Sequence, residues 1–476
     1  MKISLKMLAQ VIGGELVQGK PGQVVSFVST DSRAVKPGSV FFALKGDKFD
    51  GRQFVKEAMK KGAKAAVVGK DFNEQVEPGL GLIKVNDPLY ALGEFARYQR
   101  AQLKIKVVGV TGSVGKTTTK EMTALILSRK FRTAKSPGNF NNLIGLPLAI
   151  FGIDQKTQVA VLELASNQPG EISRLAEIAQ PDIGVIVRIA AVHLQGLKDL
   201  EGVEREKRSI LSALAPGGIF IFNLNDPRLC RLALGFAGTK IGFGLKARPL
   251  KSAAMNVLAD RFRLRRKEDG FGQRFKVKVK AKKNKSAEFE IKGVGGHLIE
   301  NALAAVSVGL AMGIDLRDSA AALKEFELIQ GRGRLERTKK GVWLIDESYN
   351  ANPESMAAAL KLFSEYSRLA GRGKTLVLGE MAELGDYSAQ AHRELGELLS
   401  KTAFNRLYYL GGCWEEMSSG LGETSGRKVK SFTELSALKA ELEKELEPGE
   451  LVMVKGSHIT GLWQIADWLR ESQDAL

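Results

Sequence analysis

The amino-acid sequence predicts an α/β protein built as three domains. Three observations lead there. At 476 residues the chain is long enough for roughly two to four domains of ordinary size. Short β-branched runs alternate with helical segments, the pattern of mostly parallel sheets. One apolar run breaks into a glycine-rich turn that opens a helix, as loops that cradle phosphate do. A hydrophobic content of 44% and a charged content of 26% are those of an ordinary globular protein.

The first region, 1–103, opens with a short helix, turns at Pro37-Gly38, and continues with a strand over 40–44, a helix near 53–61 and strands over 65–68 and 82–85. It reads as a small α/β unit. The second region, 104–330, begins with the apolar run and its glycine-rich turn, followed by a helix over 118–129 and strands over 159–164 and 183–189. Strand–helix alternation of this kind places ligands at the C-terminal ends of the strands. The third region, 331–476, repeats the pattern with strands over 342–345, 375–378, 407–410 and 451–454, and reads as a doubly wound, Rossmann-like domain without a phosphate loop. Between the last two, Gln330-Gly-Arg-Gly333 is a natural hinge.

The chemistry starts at Thr111-Gly-Ser-Val-Gly-Lys-Thr-Thr118. Gly112 and Gly115 let the backbone curve closely around phosphate, and Thr111, Ser113 and Thr118 belong to the same nest of amides and hydroxyls. Lys116 neutralises phosphate charge and the Thr117 hydroxyl suits Mg2+, so the predicted ligand is ATP with Mg2+. The match is to a variant, because Val110 stands where the usual pattern has glycine. An ordinary strand–turn–helix is the competing reading. Glu163 closes the strand over 159–164, where a carboxylate must be paired or hold a metal. His193, one of four histidines, reads alone as a satisfied polar residue, but beside Glu163 and a loop threonine it suits a Mg2+ site at the γ-phosphate. Lys207, in Glu204-Arg-Glu-Lys-Arg208, reads as part of a solvated helix face.

Of the net charge of +18, +11 comes from 246–292, where sixteen basic residues face five acidic ones. Within that segment Phe275-Lys-Val-Lys-Val-Lys-Ala-Lys282 alternates with period two, a half-buried strand whose lysines face water or protect a sheet edge. No aromatic residues interleave the lysines, so no nucleic-acid partner is expected. Two cysteines exclude a disulfide framework, and no apolar run reaches the roughly 18 residues of a membrane span. The N-terminus lacks a signal-peptide core. A cytoplasmic enzyme without membrane insertion is expected.

Four stretches together resemble the Mur ligase family of peptidoglycan synthesis: Thr111 to Met122, Gly138-Asn-Phe-Asn-Asn-Leu-Ile-Gly-Leu-Pro147, Asn301-Ala-Leu-Ala-Ala305 and Asp346-Glu-Ser-Tyr-Asn-Ala-Asn-Pro353. The last is similar to members that add D-alanyl-D-alanine to UDP-N-acetylmuramoyl-tripeptide. The resemblance implies a nucleotide-sugar domain, a P-loop ATPase domain and a C-terminal Rossmann-like domain, in that order. A monomer is expected. It implies that Lys116 and Thr117 hold ATP phosphates and Mg2+, that Glu163 and His193 complete the metal sites, and that Lys207 carries a CO2-derived carbamate that coordinates metal. Asn301 would face adenine, Glu347 the ribose, and Arg334 would reach the nucleotide across the hinge. Ser29, Asp31, Ser32, Arg33 and Gly46 would hold the uridine diphosphate end, with Asn139 and Asn142 also on substrate. Tyr349, Asn350 and Asn352 would meet the dipeptide.

The chain departs from the family pattern in places. Glu347 replaces the usual aspartate, Leu164-Ala165 the usual Met-Gly, Arg188 a common asparagine, Arg208-Ser209 the usual Gly-Glu, Leu298 a typical asparagine, and His458 an arginine. Rival readings are a sister ligase adding diaminopimelate or lysine, a folate polyglutamate ligase of the same fold, a P-loop ATPase without ligase chemistry, or a nucleotide-sugar binding protein. The run over 349–353 argues against the first two.

Overall fold

A computed structural model of the chain describes residues 2–46, 49–267, 270–367 and 373–471. Met1 and Leu476, the ends of the expected outer domains, lie outside the described residues, as do Glu268 and Asp269 of the basic segment.

The fold is α/β throughout, with one main sheet per region. The first region forms a five-stranded sheet in the order Glu15–Gln18, Gly81–Val85, Ala65–Gly69, Ser39–Phe42, Phe27–Ser29, parallel except at the Glu15–Gln18 edge. Val40, Phe42, Val67 and Ile83 face one apolar layer; Phe41, Ala66, Val68 and Leu82 face the other, as alternation along a strand requires. The helix Pro88–Gln102, started by the Asp87 cap, joins this sheet to the next domain. Its buried Arg100 donates to the carbonyls of Ala179 (2.9 Å) and Gln180 (3.2 Å).

The central sheet has nine strands, and the strand Lys106–Thr111 lies between Val159–Glu163 and Ile183–Ile186, parallel to both. Chain order reverses around that strand, which opens a crevice at its C-terminal end. The helix that follows, Lys116–Leu127, packs on the long apolar helix Gly296–Ala311. At the far side Met255–Lys267, Gly270–Lys280 and Lys285–Lys292 form an antiparallel meander. Phe275, Val277 and Val279 are buried and Lys276, Lys278 and Lys280 exposed, the period-two pattern. The sheet edge, however, is Lys285–Lys292 and not the lysine-bearing strand.

The strand expected over 183–189 stops at Ile186. Beyond it the backbone leaves the ladder to serve the glycine-rich turn: the Arg188 carbonyl accepts from the Ser113 amide (2.8 Å), and the Ala190 amide donates to the Ser113 hydroxyl (2.8 Å). The C-terminal region is a six-stranded sheet in the order Arg334–Arg337, Trp343–Glu347, Leu451–Lys455, Lys374–Gly379, Arg406–Leu410, Lys428–Phe432, antiparallel only in its first pair. Its central strands are buried on both faces, the condition for near-continuous apolar runs.

Candidate active site

The glycine-rich turn holds its shape through two left-handed residues, Gly112 (φ +145°) and Gly115 (φ +81°). A Cβ on Gly112 would stand 3.1 Å from the Arg188 backbone nitrogen, and one on Gly115 only 2.5 Å from Asn301 Oδ1. Gly115 caps the helix Lys116–Leu127 without a side chain, so the first amides of that helix are offered to an anion. Lys116 folds back into the turn, donating to the carbonyls of Gly112 (2.8 Å) and Ser113 (3.2 Å). Burial pushes its pKa below the usual lysine range, while the Glu163 carboxylate opposes that shift.

Parallel pairing brings Glu163 opposite Val110 and therefore beside the turn. Only 1% exposed, its Oε1 accepts from Asn141 Nδ2 (2.9 Å) and the Thr117 hydroxyl (3.3 Å), while Oε2 has no hydrogen-bond partner. The Lys120 ammonium stands 3.8 Å from Oε2, closer to Glu121 Oε1 (3.2 Å) and hydrogen-bonded to the carbonyls of Ser136 (2.8 Å) and Gly138 (3.1 Å). A buried carboxylate oxygen without a hydrogen bond, on a group that also meets a threonine hydroxyl, fits a hard divalent cation. Among the described residues no group of three or more His, Cys, Asp and Glu could hold a metal.

His193 (φ +53°) points Nδ1 at the carboxylate of Glu383, which arrives from the C-terminal domain and whose pKa the imidazole holds down. Lys207 corrects the solvated-face reading. It is 1% exposed, on the inner side of the helix Leu200–Arg208, with Nζ 2.7 Å from the Ser166 hydroxyl. Burial first, and then the charge of Lys116, lowers its pKa to about 7, so much of it is neutral amine near neutral pH. The charge pattern misled because its neighbour Glu206 is also turned inward, capping amides of Gly170 (2.7 Å) and Ile172 (2.6 Å).

A cavity of about 860 Å³ opens over the turn, between the central and C-terminal domains. Ser113, Gly115, Lys116, Thr117 and Thr118 line it with Glu163 and His193. Asn301 enters from the helix Gly296–Ala311, accepting from the Thr119 hydroxyl (3.3 Å). The opposite wall comes from the end of the strand Trp343–Glu347 and the segment after it: Glu347, Tyr349, Asn350 and Asn352. Buried Lys455 organises that wall, donating to the Asn350 carbonyl (2.8 Å) and lying 3.4 Å from Glu347 Oε2. Asn352 caps the helix Pro353–Tyr366 through a reciprocal bond pair with Ser355.

Other expected site residues lie elsewhere. Arg334 is 53% exposed, paired with Glu336 at 3.5 Å, and faces a separate small recess. Arg332 of the same hinge lines the cavity instead: between left-handed turns at Gly331 and Gly333, its guanidinium lies over the Tyr349 ring (3.9 Å) and 3.4 Å from the Thr117 hydroxyl. Asn139 and Asn142 are exposed outside the cavity, and Asn142 caps the amides of Ile144 and Gly145. Asn141 between them reaches Glu163. Thr111 and Gly112 shape the turn from behind; the Thr111 hydroxyl donates to the Leu164 carbonyl (2.8 Å). Ser29, Asp31, Ser32, Arg33 and Gly46 lie in the first domain, outside the cavity lining. Asp31 caps the short helical turn Ser32–Ala34 and pairs with Arg33, Ser29 donates to the Asp31 carbonyl (2.7 Å), Ser32 bonds Glu57 (3.2 Å), and the Gly46 amide bonds the Phe49 carbonyl (2.9 Å).

Comparison with known proteins places successive parts of the chain in one family. The models for the Mur ligase family catalytic domain, the Mur ligase middle domain and the Mur ligase glutamate ligase domain match residues 24–100, 110–309 and 333–458. The UDP-N-acetylmuramoyl-tripeptide–D-alanyl-D-alanine ligase of Bacillus subtilis is 31% identical, with 99% of both chains aligned. Among solved structures, MurF from Acinetobacter baumannii superposes with a TM-score of 0.85 at 28% identity, covering 99% of each chain. MurF ligase from Thermotoga maritima, solved in complex with ADP, gives 0.78 at 26% identity over 94% of this chain and 97% of that one.

Proposed function

This chain belongs to the Mur ligase family, and we propose that it joins D-alanyl-D-alanine to UDP-N-acetylmuramoyl-tripeptide at the expense of ATP. The carrying observation is one cavity that sets the glycine-rich turn and Glu163 against the Tyr349–Asn352 wall. Such a cavity would bring a phosphate donor and an incoming amine together. The names of the relatives favour this reading over a sister ligase or a P-loop ATPase without ligase chemistry.

A carboxylate is a poor electrophile, so the reaction runs in two steps. An oxygen of the tripeptide carboxylate takes the γ-phosphoryl group, forming an acyl phosphate and releasing ADP. The free amine of the dipeptide then attacks the acyl carbon, loses its proton, and expels inorganic phosphate from the tetrahedral intermediate, leaving an amide. Catalysis of such a transfer is positioning and charge neutralisation. Lys116 and the amides of the turn take the phosphate charge. Glu163 and Thr117 would hold Mg2+, which supplies further neutralisation on the phosphates, with His193 at a second position. Arg332, within reach of Thr117, adds a cation from the C-terminal domain, and closure of that domain excludes water from the acyl phosphate.

For Lys207, burial and a pKa of about 7 support the carbamate assignment, since only the neutral amine captures CO2. The product is an anion next to the ammonium of Lys116. Ser29 to Arg33 with Gly46 serve the uridine diphosphate end, Asn301 the adenine and Glu347 the ribose. The chain works as a monomer in the cytosol. In support of the cytosol, both cysteines are free thiols, and no helix among the described residues is long and apolar enough to cross a membrane. Phosphate release with ATP, Mg2+ and the tripeptide nucleotide, with and without the dipeptide, tests the proposal. A product heavier by one dipeptide less water is expected; release indifferent to the dipeptide would refute it.

A further inference from the structure

Arg188 touches three elements at once. Its backbone carbonyl accepts the Ser113 amide (2.8 Å) and lies against Gly112, so the main chain braces the glycine-rich turn. Its guanidinium pairs through Nε with Glu354 and through Nη1 with Glu300 (3.4 Å). Glu300 precedes Asn301 on the helix that closes against Gly115. Glu354 stands in the first turn of the helix Pro353–Tyr366, two residues beyond the Asn352 cap. The Arg188–Glu354 pair therefore crosses from the central domain to the element that carries the dipeptide wall.

The pair is half-buried, at 29% and 32% side-chain exposure, inside the cavity rim, where an ion pair counts for more than on an open surface. Desolvation pushes Glu300 and Glu354 up, and Arg188 opposes this in both; Asp226 adds a third carboxylate facing the guanidinium. Without Arg188 these carboxylates would repel across the domain boundary. Its guanidinium is spent on the Glu300 and Glu354 carboxylates at the cavity rim.

We infer that Arg188 is a positioning residue for the second substrate: it fastens the start of the helix Pro353–Tyr366, and with it Tyr349–Asn352, to the brace of the phosphate loop. The inference rests on the ligase reading. The amine is thereby held in register with the acyl phosphate, while the main-chain brace of the turn is independent of the side chain.

The test is steady-state ligation by Arg188→Ala, Arg188→Lys, Glu354→Gln and the Arg188→Ala/Glu354→Gln pair, with KM for each substrate. Arg188→Ala should raise KM for the dipeptide about tenfold and leave KM for ATP within about twofold. Glu354→Gln should do the same, the double variant no worse than either single one, and Arg188→Lys should restore part of the loss. Additive losses, or KM for ATP rising with that for the dipeptide, would overturn the inference. Glu354→Gln, nearly isosteric, keeps the test open if Arg188→Ala does not fold. A wild-type protein that forms no dipeptide-dependent product refutes the ligase reading itself; a ligating wild type with unchanged dipeptide KM in the variants refutes only the coupling.

Discussion

Replacing Lys207 by methionine should make the protein more stable and inactive. Unfolded, the ammonium titrates near 10.5; folded, at about 7. Because the folded pKa is depressed, the unfolded state binds more protons between those values, so the penalty is absent above pH 10.5, grows as pH falls, and is nearly complete at pH 7. The gap corresponds to about 4 kcal/mol at pH 7. The variant gives up the Ser166 hydrogen bond, worth about 1 kcal/mol, and keeps nearly the same volume. A net gain of about 3 kcal/mol is expected. Urea unfolding in CO2-free buffer reads it: the midpoint of Lys207→Met should exceed that of the wild type at pH 7, and the gain should shrink towards pH 10. A variant less stable at pH 7, or a gain independent of pH, would refute the reasoning. Ligation should be lost, and in Lys207→Ala short carboxylates such as acetate should restore part of it by replacing the carbamate; absence of rescue would count against that role.

Lys116→Ala should lower ligation at least about a hundredfold with the thermal midpoint little changed, since the lost group is itself a desolvated ammonium; turnover near wild type would contradict its phosphate role. Gly115→Ala forces a left-handed alanine, at about 1–2 kcal/mol, into a space where Asn301 Oδ1 is 2.5 Å away. ATP should then give no thermal shift, and a normal shift would mean that the turn is not the nucleotide site. Glu163→Gln keeps the shape and removes the charge at Oε2, which has no hydrogen bond. The Mg2+ concentration for half-maximal turnover should rise about tenfold or more, and an unchanged Mg2+ dependence would move the cation elsewhere.

The glycine-rich turn was legible because everything it needs is local: an apolar strand, two glycines and the start of a helix. Glu163 was legible for a related reason, a charge at the end of an apolar strand. Lys207 was not, because the charges around it spell a solvated face while its helix lies against the Ser166 segment. Arg332 and Arg334 are both basic residues of one hinge, and only the left-handed turns at Gly331 and Gly333 decide which reaches the cavity. Asn141 lies between two asparagines chosen in its place, and no local signal separates the three. Glu383, Lys455, Arg188 and Glu354 act through partners that are more than a hundred residues away or in another domain, which periodicity cannot register. The edge strands Arg334–Arg337 and Lys428–Phe432 escaped because they are short and charged, as exposed edges tend to be.

The central claim is that the tripeptide carboxylate is activated as an acyl phosphate in the cavity over the turn. It is tested most directly by labelling that carboxylate with 18O and recovering the phosphate released during ligation. The account predicts one carboxylate oxygen in each phosphate formed; phosphate free of the label, alongside normal amide formation, would contradict it.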